Sequence, residues 1–162
     1  MTRPPAHDPA HFRKVLGAFP TGVTVVTAMD GDRPVGLVIG SFTSVSLEPP
    51  LVAFLPAKSS TSYPGIEAAG VFCVNVLAHD QGDIAAAFAG KGDNKFEGVA
   101  WEAGPHTKSP RIHGCCAWMD CTIDAVHEAG DHWIVVGRVH EMDVDRDAGP
   151  TLFHRGQYGT FV

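Results

Sequence analysis

Residues 23 to 41 read Val-Thr-Val-Val-Thr-Ala-Met-Asp-Gly-Asp-Arg-Pro-Val-Gly-Leu-Val-Ile-Gly-Ser. The first part, Val23 to Ala28, is rich in β-branched residues and has the composition of a buried strand. Asp30-Gly31-Asp32 is a hairpin turn signal, because glycine tolerates the positive φ that tight turns require. Val35 to Ser41 then returns as a second strand. It contains Gly36 and Gly40, and glycine inside a strand marks a bulge or a place where a ligand approaches the backbone.

The same pattern continues outward. Phe42 to Leu47 stays extended until Pro49-Pro50, and Leu51 to Leu55 is a strand ended by Pro56. Val71 to Leu77 follows, and Ala117 to Val126 and Trp133 to Val139 flank the turn Ala129-Gly130-Asp131. Leu152-Phe153 and Tyr158 to Val162 are short final strands, for a total of seven or eight. Three helices are predicted around them. The first is capped by Asp8, starts at Pro9, carries Phe12, Val15, Leu16 and Phe19 on one face, and is stopped by Pro20 and Gly22. The second spans Ile66 to Ala69 and is closed by Gly70; the third spans Asp80 to Ala89, with Asp80 as cap and Gly90 as stop. Residues 90 to 114 read as a loop. Hairpin strands with few helices predict a mainly β fold, and closing the sheet into a barrel removes its exposed edges.

Composition narrows the class. A chain of 162 residues predicts one domain, its first eight residues a flexible end. Gly 18 and Pro 12 favour many short turns over a helix bundle. The net charge of -6, with no Lys/Arg cluster, argues against nucleic acid or an anionic membrane as partner. No apolar run is long enough to span a membrane, and the polar start lacks a signal sequence, so the expected location is the cytoplasm. Cys73, Cys115, Cys116 and Cys121 are then expected as reduced thiols.

The common catalytic motifs are missing. No G-x-G-x-x-G follows a strand, no phosphate-loop spacing surrounds Gly90-Lys91-Gly92, and no G-x-S-x-G elbow occurs. His127-Glu128 and His132 are one residue too far apart for a zinc-protease motif, and alternation puts Cys115 and Cys116 on opposite faces of a strand, so no metal site is expected. The run Lys58-Ser59-Ser60-Thr61-Ser62 is more informative. Hydroxyls, one lysine and backbone N–H groups near a helix start suit a phosphate, although an ordinary capped loop has the same composition. A bare strand at Gly36 and Gly40 would let a flat ring lie against the backbone, or would simply bend the strand. The two features together suit a flat, phosphate-bearing cofactor such as a flavin nucleotide.

Longer stretches resemble one family. Residues Phe12 to Thr27, Ser41 to Val52, Phe72 to Leu77, Lys95-Phe96-Glu97-Gly98, Gly130-Asp131-His132 and Arg155-Gly156-Gln157-Tyr158 resemble, in the same order, the flavin reductase-like family. The resemblance implies an FMN-binding split barrel, homodimeric, that takes hydride from NADH or NADPH onto FMN or FAD. It implies release of the reduced flavin to a partner monooxygenase. It also implies that Gly36, Val38, Ile39, Gly40 and Ser41 lie along the flavin ring, with Pro56 and Ala57 flanking it. Lys58, Ser59 and Thr61 would approach the phosphate and Phe96 would lie near the cofactor. His132, as a positioning residue, would seat the nicotinamide nucleotide, with Arg155 and Tyr158 lining the same pocket. Val38, Gly40 and His154 depart from the family pattern, which commonly has Thr, Asn and an aromatic residue there. A flavin-binding module without turnover, and a flavoenzyme that keeps its FMN and reduces another acceptor, are the alternatives.

Overall fold

Strand β2 (Thr24–Asp30) and strand β3 (Arg33–Ile39) form the expected hairpin, with Asp30 opposite Arg33 and Gly31 at φ 62 in the turn. The structure is a computed structural model and describes residue 2 and residues 4 to 161; the expected flexible end falls partly outside these residues. Helix α1 (Pro9–Leu16) precedes β1 (Thr21–Gly22). After β3 come β4 (Phe42–Ser46), β5 (Leu51–Phe54), α2 (Tyr63–Ala69), β6 (Val71–Val76) and α3 (Gly82–Ala89). The chain continues through β7 (Trp101–Ala103), β8 (Pro110–Ile112), β9 (Ala117–Ala129), β10 (His132–Val144), β11 (Thr151–His154) and β12 (Gln157–Thr160).

The main sheet is antiparallel with the order β3-β2-β6-β9-β10-β5-β4. Its two edge strands, β3 and β4, are neighbours in the chain but do not pair. Leu37 and Ile39 from one edge nevertheless share a core with Val52, Phe54 and Phe42 from the other, so the sheet is curled around that core. A curled sheet whose edges approach without closing is a split barrel. A second core lies on the other face, where Val23, Val25, Leu77 and Phe88 pack together. Burial on both faces accounts for the uninterrupted apolar run in β2.

The centre of the sheet is tightly specified. At Gly137 in β10 a Cβ would fall 2.3 Å from Cζ of Phe72, a fully buried ring, so only glycine fits. The adjacent register shift marks a bulge that bends the long β9–β10 hairpin. Asn75 Nδ2 donates to Val25 O at 3.0 Å and Asn75 Oδ1 accepts from Ile112 N at 2.7 Å, tying β8 to the buried sheet. Buried Asp120 accepts from the N–H groups of His106 and Thr107, at 2.8 and 3.0 Å, and pins the loop between β7 and β8.

Several expectations are corrected. Among the described residues twelve strands form, not seven or eight, and residues 90 to 114 contain the β7–β8 pair. Such three-residue strands carry too little periodicity to be read. Gly40 lies just past the end of β3. Asp8 caps α1 as expected, but the helix ends at Leu16, so Phe19 lies beyond it; the apolar face is exposed, with Phe19 at 71%. Asp80 does not cap α3; its carboxylate makes a two-pronged ion pair with Arg146 at 2.9 and 2.8 Å, and Gln81 holds the cap position. Among the described residues no helix is long and apolar enough to cross a membrane.

Candidate functional site

A groove of about 470 Å³ runs along the end of β3. Leu37, Val38, Ile39, Gly40 and Ser41 all border it. Side chains alternate in direction along a strand, so what five consecutive residues present in common is the backbone edge. That edge meets no further strand among the described residues, where β3 pairs only with β2. Its outward N–H and C=O groups can therefore bond the polar rim of a planar ligand. Thr24 Oγ1 donates to Ile39 O at 3.0 Å and Ser41 Oγ donates to Leu55 O at 3.1 Å, which hold the strand end in place.

The opposite wall is the chain from Leu55 to Ser62. It is fastened to the start of β10 because Trp133 N donates to Pro56 O and Lys58 N donates to Asp131 O, each at 2.9 Å. Ala57 forms a bridge with His132. Ser60 Oγ accepts from Tyr63 N at 3.1 Å and turns the hydroxyl run into α2. Ala57, Ser59, Ser60, Thr61, Ser62 and His132 all line the groove. His132 Nδ1 lies 2.8 Å from Asp131 Oδ1, and His132 holds the Asp131 carboxyl below the usual carboxylate range by that hydrogen bond. The pairing fixes the ring and leaves Nε2 as its free nitrogen.

The structure redistributes the remaining candidates. Lys58 does not line the groove: its ammonium pairs with Glu128 and sits 4.8 Å from the centre of the Trp133 ring. Pro56 is buried, does not line the groove and takes part through its carbonyl, which accepts from Trp133 N. Gly36 makes room for Phe88, whose Cε1 would lie 2.8 Å from an added Cβ, so its bareness serves packing. Gly40 faces Thr21, whose Oγ1 would lie 3.0 Å from an added Cβ. Phe96 packs edge-on against Phe88 at 4.8 Å and borders a smaller adjoining hollow. Arg155 and Tyr158 lie in and beside the β11–β12 turn, in separate hollows, and neither shares one with His132. Among the described residues of one chain these three residues border different hollows. Burial pushes Cys115 up to about 12 and raises Cys73 and Cys121 as well, which keeps these thiols protonated and makes them poor nucleophiles.

One residue escaped the sequence reading. Lys95 borders both the groove and the adjoining hollow, and its ammonium donates to Ser62 Oγ at 3.0 Å. The available signal was its place beside Phe96 in the Lys95-Phe96-Glu97-Gly98 stretch, where only the aromatic residue was singled out.

Residues 16 to 161 match the family described as the flavin reductase like domain. The chain belongs to the flavin reductase-like family. Relatives of this flavin reductase-like chain include a flavin reductase of Pseudomonas putida, 54% identical over 97% of this chain and 92% of the relative. The HsaB reductase subunit of a flavin-dependent monooxygenase from Rhodococcus jostii is 48% identical over 94% of this chain and 78% of the relative. Among solved structures, the NADH:FAD oxidoreductase SgcE6 of Streptomyces globisporus C-1027, in complex with NAD and FAD fragments, superposes with a TM-score of 0.94. Its identity is 36%, with 100% of this chain and 98% of that chain covered.

Proposed function

We infer that the protein is an NAD(P)H:flavin oxidoreductase, which transfers hydride from NADH or NADPH to FMN or FAD and supplies reduced flavin to a flavin-dependent monooxygenase. The observation that carries this reading is the groove itself: a free strand edge on one side and a hydroxyl-rich turn on the other. Its volume of about 470 Å³ lies within the usual range for small-ligand sites. A flat ring with a phosphate tail fits that donor set. The flavin, when bound, supplies the hydride acceptor.

The residues of the chain position the reactants. The backbone of Leu37 to Ser41 orients the polar rim of the ring, and Leu55 and Val38 give it an apolar surround. Ser59 and Thr61 face the phosphate end. His132, held through Nδ1 by Asp131, seats the nicotinamide nucleotide. Positioning of this kind is sufficient where the chemistry belongs to the two cofactors.

A homodimer is part of the same reading. Phe12, Leu16 and Phe19 are exposed in a hollow they share with Phe153 and Arg155, Val15 is exposed on the same helix, and this hollow meets the groove at Gly40. A second copy covering that face would bury the apolar residues and bring new groups to the groove mouth. A nicotinamide co-substrate suits a cytoplasmic setting, which is part of the same reading.

The test is NADH and NADPH oxidation followed by absorbance with FMN or FAD added. Turnover is expected only when flavin is present. No nicotinamide oxidation with any flavin overturns the activity. Tight flavin without turnover would mark a binding module, and retained flavin that reduces a third substrate would mark a different flavoenzyme.

A further inference from the structure

We propose that Lys58 is a positioning residue for the nicotinamide nucleotide: by clasping Glu128 and the Trp133 ring, its ammonium sets the end of the β9–β10 hairpin, and with it His132, against the groove. The proposal rests on the reading above in which His132 seats that nucleotide. Three observations carry it.

First, the end of the hairpin projects past the strands beside it. Strand β9 pairs with β6 only as far as Thr122, and β10 pairs with β5 only from Val135 onward. Around His132 the arm meets the groove wall through the Ala57–His132 bridge and the hydrogen bonds of Trp133 N with Pro56 O and of Lys58 N with Asp131 O. Backbone pairing this short leaves the set of the arm to side chains.

Second, Glu128 and Trp133 stand opposite each other in the hairpin register. The Lys58 ammonium pairs with the Glu128 carboxylate and lies 4.8 Å from the centre of the Trp133 ring, so one cation grips both strands of the arm. Trp133 packs against the core inside the curled sheet. Successive side chains on a strand point to opposite faces, so holding Trp133 there turns His132 the other way. His132 accordingly lines the groove, whereas Lys58 and Trp133 do not.

Third, Lys58 acts on two carboxylates. Its hydrogen bond holds the Glu128 carboxyl below the usual carboxylate range. The Asp131 carboxyl is lowered as well, first by its hydrogen bond with His132 and in smaller part by the Lys58 charge. The same cation thus favours the charged Asp131 that fixes the His132 ring through Nδ1. The competing readings are that Lys58 touches an anionic ligand directly, or that the clasp serves folding alone.

Steady-state NADH oxidation with FMN as acceptor, together with FMN titration by fluorescence and thermal denaturation, separates these readings. Lys58→Met is expected to raise the KM for NADH about fivefold, with kcat and FMN affinity within about twofold of the wild type. A loss confined to KM is the mark of a group that contributes equally to nucleotide binding before and during the reaction. Lys58→Arg, which keeps the charge and stacks on aromatic faces, is expected to hold the KM within about twofold. Glu128→Gln decides between the clasp and a direct contact. It is expected to raise the KM by about two- to threefold, and to add nothing in the Lys58→Met background, because the pair acts as a unit. A lowered KM in Glu128→Gln would mean a lysine freed to meet the nucleotide itself, and overturns the proposal, as do additive effects of the two substitutions. An unchanged KM in Lys58→Met, with or without a lower melting temperature, overturns it and leaves the flavin reductase reading standing. A fall in FMN affinity of about tenfold puts Lys58 on the flavin and also overturns it. No NADH oxidation by the wild type with any flavin overturns the functional reading together with the proposal.

Discussion

The middle of the main sheet and its β3 edge belong to one hydrogen-bonded surface, yet they treat polar groups in opposite ways. In the middle, Asn75 and Asp120 are buried and their donors and acceptors are used within the chain. At the edge, the outer backbone groups of β3 meet no strand and Lys95 meets no anion among the described residues. A satisfied interior gives stability but has no capacity left for a ligand. The edge has that capacity because its satisfaction is incomplete. The site is thus found where the sheet stops, and a split barrel has such a place where a closed one would not.

That contrast predicts which substitutions damage folding and which damage binding. The largest effect is expected in the middle. Gly137→Ala drives a Cβ into the Phe72 ring, and overpacking at a site that cannot yield should cost about 3 kcal/mol. Urea denaturation would measure it; a change below about 0.5 kcal/mol would show that Phe72 has room to move.

A smaller effect is expected at the Asp80–Arg146 pair on the surface. Hydrogen bonding to Arg146 lowers the Asp80 pKa in the folded state. A carboxylate with a lowered folded pKa contributes stability above its unfolded pKa, and that contribution is lost as pH falls through the folded value. Asp80→Asn should therefore be less stable than wild type near about pH 7 and equal to it near about pH 2. Denaturation midpoints at the two pH values check this, and a difference that persists in acid would mean that the pair does not act through its charge.

The smallest effect is expected at Lys58. Because its ammonium is engaged by Glu128 outside the groove, Lys58→Ala should leave FMN affinity within about twofold. A loss of about tenfold or more would place Lys58 at the phosphate after all.

The lysines also show what can and cannot be read from a chain. Asp30-Gly31-Asp32 and Ala129-Gly130-Asp131 were legible as turns, and Gly31 and Gly130 both have φ 62. Asp8 was legible as a cap, and its carboxylate accepts from Ala10 N at 2.9 Å. These are short-range matters of φ and of one hydrogen bond, and neighbouring residues decide them. Lys58 stood in a hydroxyl-rich run and was the natural choice for a phosphate partner, but Glu128 lies seventy positions away and took it. Lys95 could be placed only once α3, β3 and the turn before α2 had met. The same limit applies to Arg155 and Tyr158, which were grouped with His132 but border different hollows.

Sequence alone was enough to determine the strand-rich class, the hairpins, the first helix and the family, because these depend on local conformational preference and on motifs kept in order. Tertiary structure decided that β3 is an edge, that Gly36 accommodates Phe88, that the face of α1 is uncovered, and that Lys91 and Lys95, not Lys58, line the groove. Each of those facts depends on which distant side chain arrives at a given point. Charge pairing and packing are fixed by distance in space, and spacing along the chain does not encode it.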